Sequence, residues 1–154
     1  MTEHYSPEDH IKIVDALKSY LADTAIVYYK THAFHWNVEG PNFYSFHLFF
    51  EKLYTELWES LDEIAERIRV FGDKAPPSFI ELLKGASIGE TETSPQSYIM
   101  ARILKDDFLD LSKRAYEVGT IAESIRDRVT MDMMTQRATA LEKAAWMLNS
   151  TIVS

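Results

Sequence analysis

A chain of 154 residues with 46% hydrophobic and 26% charged side chains has the length of one domain and the composition of a folded one. Its formal net charge of −8 is a poor basis for binding duplex DNA, whose phosphates reward basic surfaces. There is no cysteine, so disulfides and thiolate sites are excluded and any metal must be held by His, Asp, Glu or backbone oxygen.

The opening MTEHYSPEDH has neither a basic start nor an apolar stretch, so no secretory signal is expected. No apolar run approaches membrane-spanning length, and a cytoplasmic protein is expected. Proline and glycine leave two long gaps, Pro7 to Gly40 and Pro41 to Gly72. They then cluster from Gly72 to Pro95, after which only Gly119 appears. Because these residues end or weaken helices, the gaps predict uninterrupted helical elements.

The first helix is predicted to begin at Ser6, with Pro7 in its first position and Asp9 closing a capping box. Its apolar stripe runs Ile11, Val14, Leu17, Leu21, Ala25 and Tyr28 in steps of three and four. A turn follows from Asn37 to Asn42 around Gly40-Pro41. The second helix runs to about Phe71, with Phe46, Phe50, Leu53, Leu57, Leu61, Ile64 and Ile68 on one stripe. Residues 72–94 predict a long connection with a short helix near Ser78–Lys84. The third long helix is expected to open at Ser94 and Pro95, carrying Ile99, Ile103, Phe108, Leu111 and Ala115. The fourth is expected to open at Thr130, carrying Met134, Ala138, Leu141, Ala145 and Leu148. The first two would each be about 45 Å long. This is an all-α pattern: a single domain over 1–154, folded as a four-helix bundle with a short helix in the long second connection.

The second helix carries a second face. With Phe46 at zero and about 100° per residue, His47, Glu51, Trp58, Asp62 and Glu66 fall at roughly 100–200°, away from the apolar stripe. Charged residues there suit a solvated face, and a D-x-x-x-E step is common on such faces. A large Trp and a His among them suit an interface. Glu51 and Asp62 are about 16 Å apart along the axis, and His47 and Glu66 about 28 Å, too far for one metal ion within one chain. Both pairs, however, share a midpoint between residues 56 and 57. Two copies packed antiparallel about a twofold axis there would bring His47 to the partner's Glu66, and Glu51 to the partner's Asp62. His35, at the end of the first helix, could add a second imidazole. Such a set suits Fe(II), Mn(II) or Zn(II).

The run His35-Trp36-Asn37-Val38-Glu39-Gly40-Pro41-Asn42-Phe43-Tyr44-Ser45-Phe46-His47 resembles the H-W-N-x-x-G-x-x-F-x-x-x-H signature of the Dps family. Phe50-Glu51 and Asp62-Glu63-Ile64-Ala65-Glu66-Arg67 resemble the continuation of that signature, and Glu142 to Leu148 is similar to the closing helix. The resemblance implies a ferritin-like four-helix bundle assembled as a hollow dodecamer. It implies ferroxidase sites shared between two chains, with His35, His47 and Glu51 from one subunit and Asp62 and Glu66 from the other. Many relatives have Asp where this chain has Glu51. Trp36 is expected beside the site or at the dimer contact, and His32 is expected to be a hydrogen-bonded structural histidine. The Glu-x-x-His motif of an in-bundle ferritin site is absent. Asp127 and Asp132 resemble the acids of the family's iron-entry pores, with helix capping as their other reading. Gln136 stands where some relatives carry another acid.

The expected function is therefore storage and detoxification of iron. Fe(II) would be oxidised by hydrogen peroxide at mono- or di-iron sites that could also hold Zn or Mn, and Fe(III) mineral would be deposited in the cage. The alternative is a DNA-compacting protein built on the same cage. Family members that bind DNA commonly use basic tails, whereas here Glu3, Glu8 and Asp9 precede or flank the first lysine, Lys12, and residues Asn149 to Ser154 carry no basic side chain. An interface loaded with Zn or Mn without oxidase activity, and a metal-free dimeric module, are further readings.

Overall fold

In the computed structural model, which describes residues 4–153, the chain forms α1 (Pro7–Asn37), α2 (Phe43–Val70), α3 (Phe79–Leu83), α4 (Ser97–Ser124) and α5 (Arg128–Ile152). Glu3 and Ser154, counted above among the tail residues, lie outside the described residues. The start of α1 is as expected: the Ser6 hydroxyl accepts from the Asp9 backbone N–H at 3.1 Å and Pro7 takes the first position. The Asp9 carboxylate receives the Ser6 hydroxyl proton rather than a backbone N–H.

α1 and α2 are antiparallel neighbours. Their connection turns at Gly40, whose φ of +108° only glycine adopts without strain, and the Phe43 N–H closes the turn on the Gly40 carbonyl at 3.0 Å. α4 and α5 form a second antiparallel pair, and α1 packs against α4 to join the pairs. The core between them is built from Leu17, Phe50, Leu57, Ile64, Leu104, Phe108, Leu111, Met134, Leu141 and Leu148, all at most 1% exposed. Full burial of each such side chain contributes about 2 kcal/mol. No described helix is long and apolar enough to cross a membrane.

The structure corrects the predicted stripes at two positions. Ile11 is 60% exposed and Ile13 is buried in its place. By helix geometry Ile11 lies roughly 120° from Leu17, off the buried face. Ile99 is 44% exposed, and Met100 and Ala101 are buried instead. The third long helix also starts later than Ser94: Gln96 stays extended (φ −62°, ψ 153°), and its carbonyl accepts the Ile99 and Met100 N–H groups at 2.9 Å. α5 begins at Arg128, two residues before Thr130, because the cap is Asp127.

The long connection from α2 to α4 is pinned by buried charge. Asp23 of α1, 1% exposed, accepts the backbone N–H groups of Ser87 at 2.6 Å and Ile88 at 2.8 Å, and the Ser87 hydroxyl at 2.9 Å. Arg114 of α4 stands 3.2 Å from the same carboxylate. Lys30 donates to the Gly89 carbonyl and to Asp107, each at 2.7 Å. Burial pushes the Asp107 carboxyl up while the Lys30 ammonium opposes the shift.

Candidate functional site

The turn between α1 and α2 lays His35, in the last turn of α1, against His47, in the second turn of α2. Their rings stack with centroids 3.8 Å apart and planes 17° from parallel. Each ring nitrogen Nδ1 reaches across to the other residue's backbone: His35 Nδ1 donates to the His47 carbonyl at 2.7 Å, and His47 Nδ1 to the His35 carbonyl at 2.8 Å. Donation from Nδ1 fixes the tautomer and leaves Nε2 as a lone-pair donor on both rings. Neither Nε2 has a hydrogen-bond partner among the described residues. Phe43 stacks on the far side of His47 at 5.0 Å. His35 is buried and His47 half-buried, so both imidazoles are held rigidly near the surface.

Glu51 follows His47 by one turn and is exposed. Asp62 and Glu66 lie further along α2, also exposed. No hydrogen bond or ion pair engages these three carboxylates among the described residues. Nor, among those residues, do three or more His, Asp or Glu side chains of one chain converge as a metal-binding group. The chain thus brings His35 and His47 together, places Glu51 beside them in sequence, and leaves Asp62 and Glu66 on a separate stretch of the helix. Trp36 and Trp58 are exposed to 55% and 61%, large apolar surface for positions flanking charged groups.

His32 is a hydrogen-bonded histidine, as expected: the Tyr28 hydroxyl and its Nδ1 are 2.9 Å apart. Burial, and then the neighbouring His35, hold its ring below the usual histidine range. The ring lies flat on Tyr54, at 3.8 Å and 8°, and Trp36 packs on it at 4.1 Å. Tyr54 went unremarked in the sequence, although it follows His47 by two helical turns and so shares its side of α2.

The two acids at the start of α5 differ. Asp127 is 1% exposed, caps the helix by accepting the Thr130 N–H at 3.1 Å, and pairs with Arg67 at 2.8 Å. Asp132 is exposed, and Gln136 donates to it at 2.7 Å.

The ferritin-like domain family matches residues 14–154. The chain is 34% identical over 139 residues to DNA protection during starvation protein 2 of Bacillus anthracis, covering 90% of this chain and 95% of that one. Its backbone matches the crystal structure of a Dps protein from Bacillus brevis with a TM-score of 0.92 and 32% identity, covering 97% of this chain and 100% of that one. It matches the Dps protein of Vibrio cholerae O1 with a TM-score of 0.91 and 32% identity, covering 95% and 92% of the two chains. That protein is described as a member of a broad superfamily of ferritin-like diiron-carboxylate proteins. The family match, the identity to these relatives and the shared backbone all extend over nearly the whole length, and the chain belongs to the Dps family of ferritin-like proteins.

Proposed function

We propose that this chain oxidises Fe(II) with hydrogen peroxide at sites shared between two subunits and deposits the Fe(III) as mineral inside a hollow homo-oligomer, a dodecamer built from twofold dimers. The observation that carries the reading is the reciprocal clamp of His35 and His47. It presents two Nε2 lone pairs without a partner among the described residues, with Glu51 one turn beyond, beside an α2 face whose Asp62 and Glu66 have no hydrogen bond or ion pair among those residues. Nitrogen and carboxylate donors in that mixture suit Fe(II), and also Zn(II) or Mn(II) as substitutes.

In this reading His35, His47 and Glu51 of one subunit and the partner's Asp62 and Glu66 hold the iron. Two antiparallel copies of α2 centred between residues 56 and 57 satisfy that pairing, and they cover Trp58 at the same contact. Because Nδ1 of each imidazole is already engaged, iron meets rings whose orientation is preset. Two Fe(II) ions each give one electron to peroxide, so its O–O bond is cleaved without release of a hydroxyl radical. Of the two acids at the start of α5, Asp132 is free to face an entry pore, and Asp127 acts through the cap and Arg67.

The relatives' names speak of DNA protection. With a net charge of −8, protection here proceeds by removing Fe(II) and peroxide rather than by covering DNA. The protein works in the cytoplasm on this reading. Anaerobic Fe(II) titration followed by peroxide tests it: oxidation collapses in His47→Ala and in Asp62→Ala. Parent-like oxidation in both variants would falsify the assignment.

A further inference from the structure

The two imidazoles of the clamp are not equally secured. His35 is 8% exposed, and Tyr54 stands edge-on to it at 5.2 Å. His47 is only half-buried. Its ring is tied to the backbone by one bond, from Nδ1 to the His35 carbonyl at 2.8 Å. A single hydrogen bond fixes one atom of a ring and leaves the plane free to pivot about it. Pivoting would sweep Nε2 and its lone pair through an arc. The plane of His47 is held from its two faces instead: His35 stacks on one at 3.8 Å, and Phe43 lies on the other at 5.0 Å, 30° from parallel.

Phe43 has little other employment. It precedes His47 by four residues and so shares that residue's side of α2. Its ring meets no second ring among the described residues. It is 42% exposed, and the core beside the same turn is filled by Phe46 at 4%. Its backbone N–H closes the turn on the Gly40 carbonyl, so the turn fixes where the ring projects from without using the ring itself. Core packing does not account for a large aromatic side chain left half in water with its face against one imidazole.

We propose that Phe43 is a positioning residue for the candidate iron site, its ring holding His47 in the plane that aims Nε2 at the metal. The inference rests on the ligand set proposed above. Phe43 touches neither iron nor peroxide and acts only through His47. An imidazole that must be brought to rest on binding gives up affinity for that ordering, whereas one held between two rings meets the metal already oriented. Loss of an outer contact to a metal-binding histidine lowers affinity by about 10–100-fold, and a stack without a hydrogen bond belongs near the lower figure. The requirement is for a flat face: an aliphatic side chain of similar bulk covers His47 without fixing its plane.

The test uses the assembled protein freed of iron. Co(II), a divalent ion that the same nitrogen and oxygen donors accept, is the probe. Its affinity is read by titration, and the His47 ring is read without metal by solid-state nitrogen NMR of histidine-labelled protein. Phe43→Leu is expected to assemble and melt with the parent, to bind Co(II) about tenfold more weakly, and to show a mobile His47 ring. Phe43→Tyr keeps the flat face and is expected to match the parent in both readouts. Parent-like Co(II) affinity in Phe43→Leu overturns the proposal. So does weak binding with a rigid His47 ring, an equal loss in Phe43→Tyr, or failure of Phe43→Leu to assemble, which would reveal a packing role. Co(II) binding that is unchanged in His47→Ala would instead overturn the site assignment itself.

Discussion

Replacing Asp127 with alanine separates its two readings, pore acid and helix cap. Its carboxylate accepts the Thr130 N–H and the Arg67 guanidinium, and its side chain is 1% exposed against 10% for Arg67. Loss of the cap costs about 1 kcal/mol. Leaving a buried cation without its counter-charge costs about 3 kcal/mol or more. The second figure belongs at its low end, because Arg67 keeps its bond to the Thr130 hydroxyl at 2.9 Å and its seat over the Phe71 ring at 4.8 Å. The sum is about 4 kcal/mol, which for a chain of this size lowers the melting temperature by about 10 °C. Asp127→Asn retains an oxygen for the cap and falls between. Asp132→Ala removes only an exposed bond and stays within about 0.5 kcal/mol of the parent. Thermal melting at matched concentration and heating rate, with iron uptake per folded protein measured in parallel, reads both effects. An Asp127→Ala protein that melts with the parent but takes up iron slowly would refute the capping argument.

Co-assembly of His47→Ala with Asp62→Ala chains is expected to restore peroxide-dependent iron oxidation that neither variant has alone. Each mixed dimer rebuilds one intact site, and no recovery would count against shared sites. Glu56→Ala leaves Arg137, 5% exposed, without its carboxylate and is expected to cost about 2 kcal/mol, less than for an enclosed pair because Glu56 is partly solvated. Adding Arg137→Met should recover most of that loss in chemical denaturation, and an additive double variant would argue against the pairing. Burial holds the Tyr20 phenol up at about 12, against 10.0 for an ordinary tyrosine. The folded chain keeps that proton where the unfolded chain loses it, so stability contributed below pH 10 is lost as pH rises from 10 towards 12. Tyr20→Phe should flatten this part of the alkaline denaturation curve. In a gel shift at moderate salt without divalent metal, no retarded DNA band is expected.

Helix positions were legible because proline, glycine and capping residues act locally: Ser6, Pro7 and Gly40 do in the fold what their chemistry predicts. The stripe of α2 was equally plain, since its buried residues, Ser60 apart, are apolar at regular steps. Asp23 and Lys30 were not legible as core residues. Their hydrogen-bond partners lie 59 to 77 positions away, and nothing near either residue reveals that its charge will be met. Asp127 was visible as both cap and pore acid, and only the approach of Arg67 from α2 shows where its carboxylate is committed. At the candidate site, the spacing of His35, His47, Glu51, Asp62 and Glu66 was readable, because a helix turns spacing into direction. The exchange of Nδ1 bonds between the two histidines was not, since it depends on the angle at which two helices meet after the turn.

That exchange closes a ring of backbone between two residues twelve positions apart, tied at both ends by imidazoles. A residue inserted or deleted between Val38 and Asn42 would break both ties at once and swing two donor nitrogens together. Loop length, usually the freest variable on a protein surface, is thereby placed under the same constraint as the side chains of the candidate site.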